Sequence, residues 1–190
     1  MDVVTLLTEA EMVQRRAVHG RAIRPQPPYP LYFPRLLVDQ AVQHLYRNGQ
    51  QGLEQLVLWG GYPITRGVII ASLLMPETEA TWGWVHVLPA GQPQIALWLQ
   101  ERGQLLFAES HTHGDGSWAT EMSDEDRRHP ASRANGFFTI IIPGYARRGI
   151  HFEQAGCWEC RSLTWYKLSR TDVRRRFAIV PDQEARDALQ

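Results

Sequence analysis

Two mostly apolar runs, Val68 to Met75 and Phe137 to Ile142, constrain most what this chain can fold into. Each falls far short of the ~20 residues a membrane-spanning helix needs, and each is too apolar for a strand with one wet face. They therefore read as strands in the interior of a sheet, which must be covered on both sides. Segments of helical spacing supply that cover. Leu37, Ala41 and Leu45 share one face of a helix that follows Pro34 and stops at Asn48 and Gly49, and Ile95, Trp98 and Leu99 mark a second helix between Pro93 and Gly103. The expected class is mixed α/β, a mixed central sheet flanked by helices.

Further strands are read at LEQLVLWGG from Leu53, at ITRGVIIASLLMP from Ile64 after a loop spanning Gly60 to Pro63, at WGWVHVLP and at LLFAES. GIHFEQAG and RSLTWYKL have the more alternating pattern of later strands. At the start, Thr8 and Glu11 form a capping-box pattern for a helix over about residues 8 to 22. PQPPYP, residues 25 to 30, must break it. The expected organisation is an N-terminal helical appendage and linker over 1–30, a main domain over 31–181, and a tail or short helix over 182–190. The appended helix is expected to dock on its own domain through Met12, Val13 and Ala17, since a stiff linker has little reach.

Twenty basic and twenty acidic residues balance, so no global field steers the chain to nucleic acid or to an anionic membrane. The runs Arg147-Arg148 and Arg174-Arg175-Arg176 are short and offset, and are read as solvated faces. The first residues lack the basic-then-apolar pattern of a secretory signal, and two cysteines make no disulfide framework, so a reducing cytoplasm is the expected home.

His111 and His113 follow LLFAES directly, and on an extended backbone residues two apart project to one side. Ten residues after His113 comes SDED, where Ser123 suits a helix N-cap and Asp126 lies three positions on. Two imidazole nitrogens and one carboxylate oxygen are the open three-ligand set of catalytic zinc. Each half of the pattern alone is common in proteins without metal, but the order strand, His-x-His, Gly-containing loop, Ser-x-x-Asp, helix is rare.

With HTHGDGSWATEMSDED, the chain resembles the JAMM metallopeptidases of the MPN class, and the likeness runs from about Leu31 to Pro181. The order of segments is similar to that of bacterial JAMM proteins encoded with ubiquitin-like conjugation enzymes. The resemblance implies an MPN (cytidine-deaminase-like) core and a Zn2+ ion on His111, His113 and Asp126. It implies Glu54 as general base, with Glu109 the rival acid, and Ser123 as donor to the oxyanion. Its chemistry is hydrolysis by water whose pKa zinc lowers towards ~7, with no covalent intermediate. The implied substrate is the extended C-terminal tail of a ubiquitin-like modifier, held by strand addition. Conjugation-pathway enzymes are further possible partners, and the alternatives are maturation of a sulfur-carrier protein or a non-catalytic MPN scaffold. Two departures stand out: nine residues separate His113 from Ser123, more than the usual seven, and Gly114 replaces a frequent proline.

Trp118, in the polar loop, is read as a substrate contact or as a loop anchor. Asp115 in the same loop is a spare carboxylate. Cys157 and Cys160, three apart in one strand, should face opposite ways. His19, His44, His86, His129 and His151 show no ligand spacing.

Overall fold

In the computed structural model, which describes residues 1–19 and 23–190, the elements in chain order are β1 (Asp2–Thr5), α1 (Glu9–His19), β2 (Leu31–Pro34), α2 (Arg35–Gly49), β3 (Leu56–Ile64), β4 (Gly67–Met75), β5 (Thr78–Ala80), β6 (Val85–Val87), α3 (Gly91–Glu101), β7 (Leu105–Thr112), α4 (Asp124–Arg128), β8 (Phe138–Ile142), β9 (Gly156–Arg161), β10 (Thr164–Lys167), α5 (Arg170–Arg176), β11 (Phe177–Val180) and α6 (Asp182–Asp187). The class is the mixed α/β one expected and is consistent with an MPN-like core. A nine-stranded sheet runs β10-β9-β8-β7-β3-β4-β2-β11, with β1 also on β4. The pairs β7–β8, β2–β4 and β2–β11 are parallel.

The apolar runs lie where their composition requires. β8 is buried throughout and β4 is buried up to Met75. Successive residues of β3 serve opposite faces: Val57 and Trp59 join the large core with Leu37, Ala41 and Leu45 of α2, while Leu56 and Leu58 join a smaller cluster with Ile95 and Leu99 of α3. Phe33 meets Trp59 edge to face at 5.2 Å. Geometry of that kind adds about 0.5–1.5 kcal/mol beyond the area buried. Cys157 and Cys160 lie in different clusters, as a continuous strand dictates.

Several expected boundaries move. β3 runs on through Gly60 to Ile64, and the turn falls at residues 65–66. Gly60 and Gly61 mark a bulge, not a loop: a Cβ on Gly61 would lie 2.3 Å from the Ile69 carbonyl oxygen. GIHFEQAG holds a 3₁₀ turn over Phe152–Gln154, and a strand begins only at Gly156. β2 and β11 are four residues each, too short to stand out as patterns.

The N-terminal segment also differs. β1 pairs antiparallel with β4, from Asp2 opposite Met75 to Thr5 opposite Ser72, so these residues belong to the main sheet. The Thr8–Glu11 box forms, with the Thr8 N–H donating to Glu11 Oε2 at 2.6 Å. α1 docks through Met12 as expected, with Leu6 just before the helix in the same core, but Val13 and Ala17 face solvent. Met12 and Val13 are about 100° apart around the helix, so one face takes only one of them. Residues 20 to 22, the expected end of that helix, lie outside the described residues. Among the described residues no helix is long and apolar enough to cross a membrane.

The Arg174–Arg176 run is only partly a solvated face. Arg176 is buried, donating to Glu159 Oε1 at 2.9 Å and, through Nε, to the Tyr29 carbonyl at 2.7 Å.

Candidate metal centre

The end of β7 is clamped from both sides. Residue Leu56 of β3 and Ile141 of β8 lie opposite His111. Thr112 exchanges hydrogen bonds with Gln55, donating its N–H to the Gln55 carbonyl at 2.9 Å and accepting the Gln55 N–H on Oγ1 at 3.0 Å. His113 donates its N–H to the Ile142 carbonyl, and its own carbonyl accepts from Tyr145 N. The backbone is thus extended through His113, and both imidazoles emerge on one side with their Nε2 atoms 3.1 Å apart.

After His113 the chain crosses over to the parallel strand β8, and α4 lies in that crossover. A reciprocal capping box fixes its start: Ser123 Oγ accepts from Asp126 N at 3.1 Å, and Asp126 Oδ2 accepts from Ser123 N at 2.7 Å. This box aims Asp126 at the histidines, with Oδ1 3.4 Å from His111 Nε2 and Oδ2 3.4 Å from His113 Nε2. The three expected ligands offer atoms within 4.8 Å of one another.

Burial opposes charge on every group here. At His111 it is outweighed by Asp126, Glu109 and Glu54, which lift its pKa to about 9. At Asp126 burial is likewise overcome: His111, and hydrogen bonds from both imidazoles and Ser123 N, hold the carboxyl well below its usual range. Burial pushes His113 down, reinforced by the charge of His111. Glu54 is fully buried, neither carboxylate oxygen has a hydrogen-bond partner, and burial pushes it up to about 8.

These residues fit a metal ion. Two imidazole nitrogens 3.1 Å apart and a carboxylate beside both converge, so that loss of the His111 proton leaves three lone-pair donors around one point. The edges of 3.1 to 3.4 Å approach the roughly 3.3 Å between ligand atoms around tetrahedral zinc at ordinary bond lengths. Because His111 holds a proton below about 9 in the metal-free centre, metal must displace it. Titration calorimetry at pH 7 in buffers of different ionisation enthalpy should therefore show at least about one proton released per metal, with affinity rising as pH approaches 9. Buffer-independent heats would show that the imidazoles are already neutral.

Glu54 lies just before β3 rather than heading it, anchored by its N–H to the Thr81 carbonyl at 2.8 Å. The charges of His111 and Asp126 both bear on its ionisation. Glu109, by contrast, is a satisfied carboxylate: Oε2 accepts from Ala131 N at 2.8 Å and Oε1 from Thr139 Oγ1 at 2.7 Å. Asp115 is exposed and paired with Arg147, outside the donor set. Trp118 is half-exposed, its ring 5.2 Å from that of His113.

Two contributions have no counterpart in the sequence reading. Gly144, Tyr145 and Ala146 are consecutive left-handed residues that carry Tyr145 over the end of β7, where its hydroxyl donates to the Gly52 carbonyl at 3.3 Å. A Cβ at Gly114 would lie 3.2 Å from that hydroxyl, which accounts for the small residue after His113. His86 and His129, 43 positions apart by number, converge on Glu125, the neighbour of Asp126.

No protein-family model matches the chain. A curated relative from Sinorhizobium fredii, described as probable metalloprotease y4jG, is 26% identical over 151 residues, spanning 77% of this chain and 91% of the relative. A solution structure of protein DSY2949 from Desulfitobacterium hafniense is similar in fold, with a TM-score of 0.54 over 80% of this chain and 93% of that one, at 12% identity.

Proposed function

We propose that this chain is a zinc-dependent peptidase of the JAMM type that cleaves after the C-terminus of a ubiquitin-like modifier, in deconjugation or in precursor processing. The observation that carries the reading is a fully buried Glu54 carboxylate with no partner for either oxygen, set beside a converged His-His-Asp donor set. A buried, unpartnered carboxylate costs stability, and such groups concentrate where chemistry needs them.

His111, His113 and Asp126 hold the zinc ion. Bound there, zinc supplies Lewis acidity, lowering the pKa of water towards ~7 and polarising the scissile carbonyl. Glu54 takes the proton of the attacking water on a carboxylate oxygen. Burial raises its pKa in the metal-free centre, whereas a dication beside it would favour the ionised carboxylate, the form that accepts the water's proton and passes it to the leaving amine. Ser123 Oγ already accepts from Asp126 N, which leaves its hydroxyl hydrogen to donate to the developing oxyanion. Trp118 offers an apolar face beside His113 for an extended tail. The β5–β6 hairpin, tied to Glu54 through Thr81, supplies a strand edge to which such a tail can add.

The test uses protein purified without added metal, assayed for zinc by elemental analysis and incubated with ubiquitin-like modifiers fused to a reporter through their C-terminal tails. About one equivalent of zinc and cleavage at the modifier terminus, abolished by a chelator and restored by zinc, are expected. Cleavage indifferent to the modifier would remove the substrate assignment, and protein with little zinc and no cleavage would favour a scaffold.

A further inference from the structure

One residue ties the backbone of a metal ligand to the backbone that leads into Glu54. Tyr145 donates its N–H to the His113 carbonyl at 3.0 Å and its hydroxyl to the Gly52 carbonyl at 3.3 Å, two residues before Glu54. Two glycines leave the slot its side chain fills. A Cβ on Gly49, at the end of α2, would lie 2.5 Å from Tyr145 Cβ, and one on Gly114 would lie 3.2 Å from the hydroxyl. The slot is reached through strained backbone: Tyr145 and Ala146 have φ of 53° and 57°, where glycine would sit freely. Two such residues in succession persist only where their surroundings over-determine them, and strain of this kind gathers at functional sites. Burial, and after it the charge of Glu54, push the hydroxyl's pKa up, so the phenol is a neutral donor within the field of that carboxylate.

We propose that Tyr145 is a positioning residue: by holding segment 52–54 against the end of β7, it sets where the Glu54 carboxylate stands relative to the metal ligands. The inference rests on the reading of Glu54 as general base. Neither carboxylate oxygen of Glu54 has a hydrogen-bond partner, so its place is set by its backbone and its packing. On one side that backbone is held by the Glu54 N–H to the Thr81 carbonyl at 2.8 Å, and on the other Tyr145 supplies the hold at Gly52. A general base must come within about 2.6–3.2 Å of the proton it takes, and a displacement of ~1 Å can cost ~10² in rate. Because the same residue is bonded to the His113 carbonyl, the base and the metal ligand share one backbone reference. Tyr145 lies outside the donor set and acts through Glu54.

The test compares Tyr145→Phe, which keeps the ring in its slot and removes the donor, with Tyr145→Ala. Hydrogen exchange on the metal-free full chain is the readout independent of catalysis. In Tyr145→Phe the Glu54 and Gln55 amides should exchange about three- to tenfold faster, the scale of one neutral hydrogen bond, while the amides of α3 keep their parental rates. With zinc-loaded protein and a modifier-tail reporter, kcat should fall by a similar factor in Tyr145→Phe and by about tenfold or more in Tyr145→Ala, with KM within about twofold of the parent. In a Glu54→Gln background neither substitution should lower kcat further, since Tyr145 works through that carboxylate. Parental exchange at Glu54 and Gln55 in Tyr145→Phe, acceleration spread equally over α3, or kcat losses that multiply with that of Glu54→Gln would each overturn the proposal. A parent that cleaves no modifier fusion strikes the proposed function instead, and the exchange rates still decide whether Tyr145 holds the segment.

Discussion

Glu54→Gln should leave the zinc content and the fold intact and lower turnover by about 10² or more, the scale of a lost general base. The carboxylate is outside the His111–His113–Asp126 donor set, and its two oxygens meet no hydrogen-bond donor, so the amide removes no hydrogen bond. His113→Ala should behave differently: it removes a ligand and with it the metal. Elemental analysis of both variants beside a turnover assay separates the two roles. The metal-free protein gives a second readout. The folded-state pKa of Glu54 is about 8, above its ordinary 4.5, so the native state binds the extra proton and stability is lost as pH rises through that window. The Gln variant should lack this part of the decline in a series of denaturant melts. Near-parental turnover in Glu54→Gln would mean that the base is misassigned. Glu109→Gln would then be the next variant, although Glu109 already spends both oxygens on Ala131 and Thr139.

Arg176→Ala should destabilise the protein by about 3 kcal/mol, at the lower end of what breaking a buried ion pair costs. Glu159 is fully buried, and Arg176 meets it at 2.9 and 3.4 Å while also holding the Tyr29 carbonyl. Removal of the guanidinium leaves a buried carboxylate with only Arg161, itself half-exposed, at 2.5 Å. For a chain of this size the loss corresponds to a Tm lowered by roughly 6–12 °C. Arg161→Ala should cost under about 1 kcal/mol, since one partner is exposed. Combining Arg176→Met with Glu159→Leu should recover most of the loss, because the penalty lies in the unpaired charge. Thermal melts of the three variants would decide it: equal shifts for Arg161→Ala and Arg176→Ala would show that burial does not govern this pair.

The sequence determined the features that local chemistry controls. The apolar runs at β4 and β8 could only be interior strands, α2 announced itself by its stripe and by Pro34 and Gly49, and the Ser123–Asp126 box formed as its spacing demands. The His-x-His motif was legible for the same reason, since a two-residue period fixes the side on which both rings emerge. Tertiary structure decided what depends on partners distant in the chain. β1, β2 and β11 are four residues each, and only the edges they pair with make them strands. Gly60 and Gly61 read as a turn because glycine permits one, yet the close approach of Ile69 makes them a bulge inside β3. Arg176 differs from Arg174 and Arg175 only in facing a buried Glu159. His86 and His129 carry no mutual spacing in sequence, and it is the docking of the β5–β6 hairpin against α4 that brings both to Glu125.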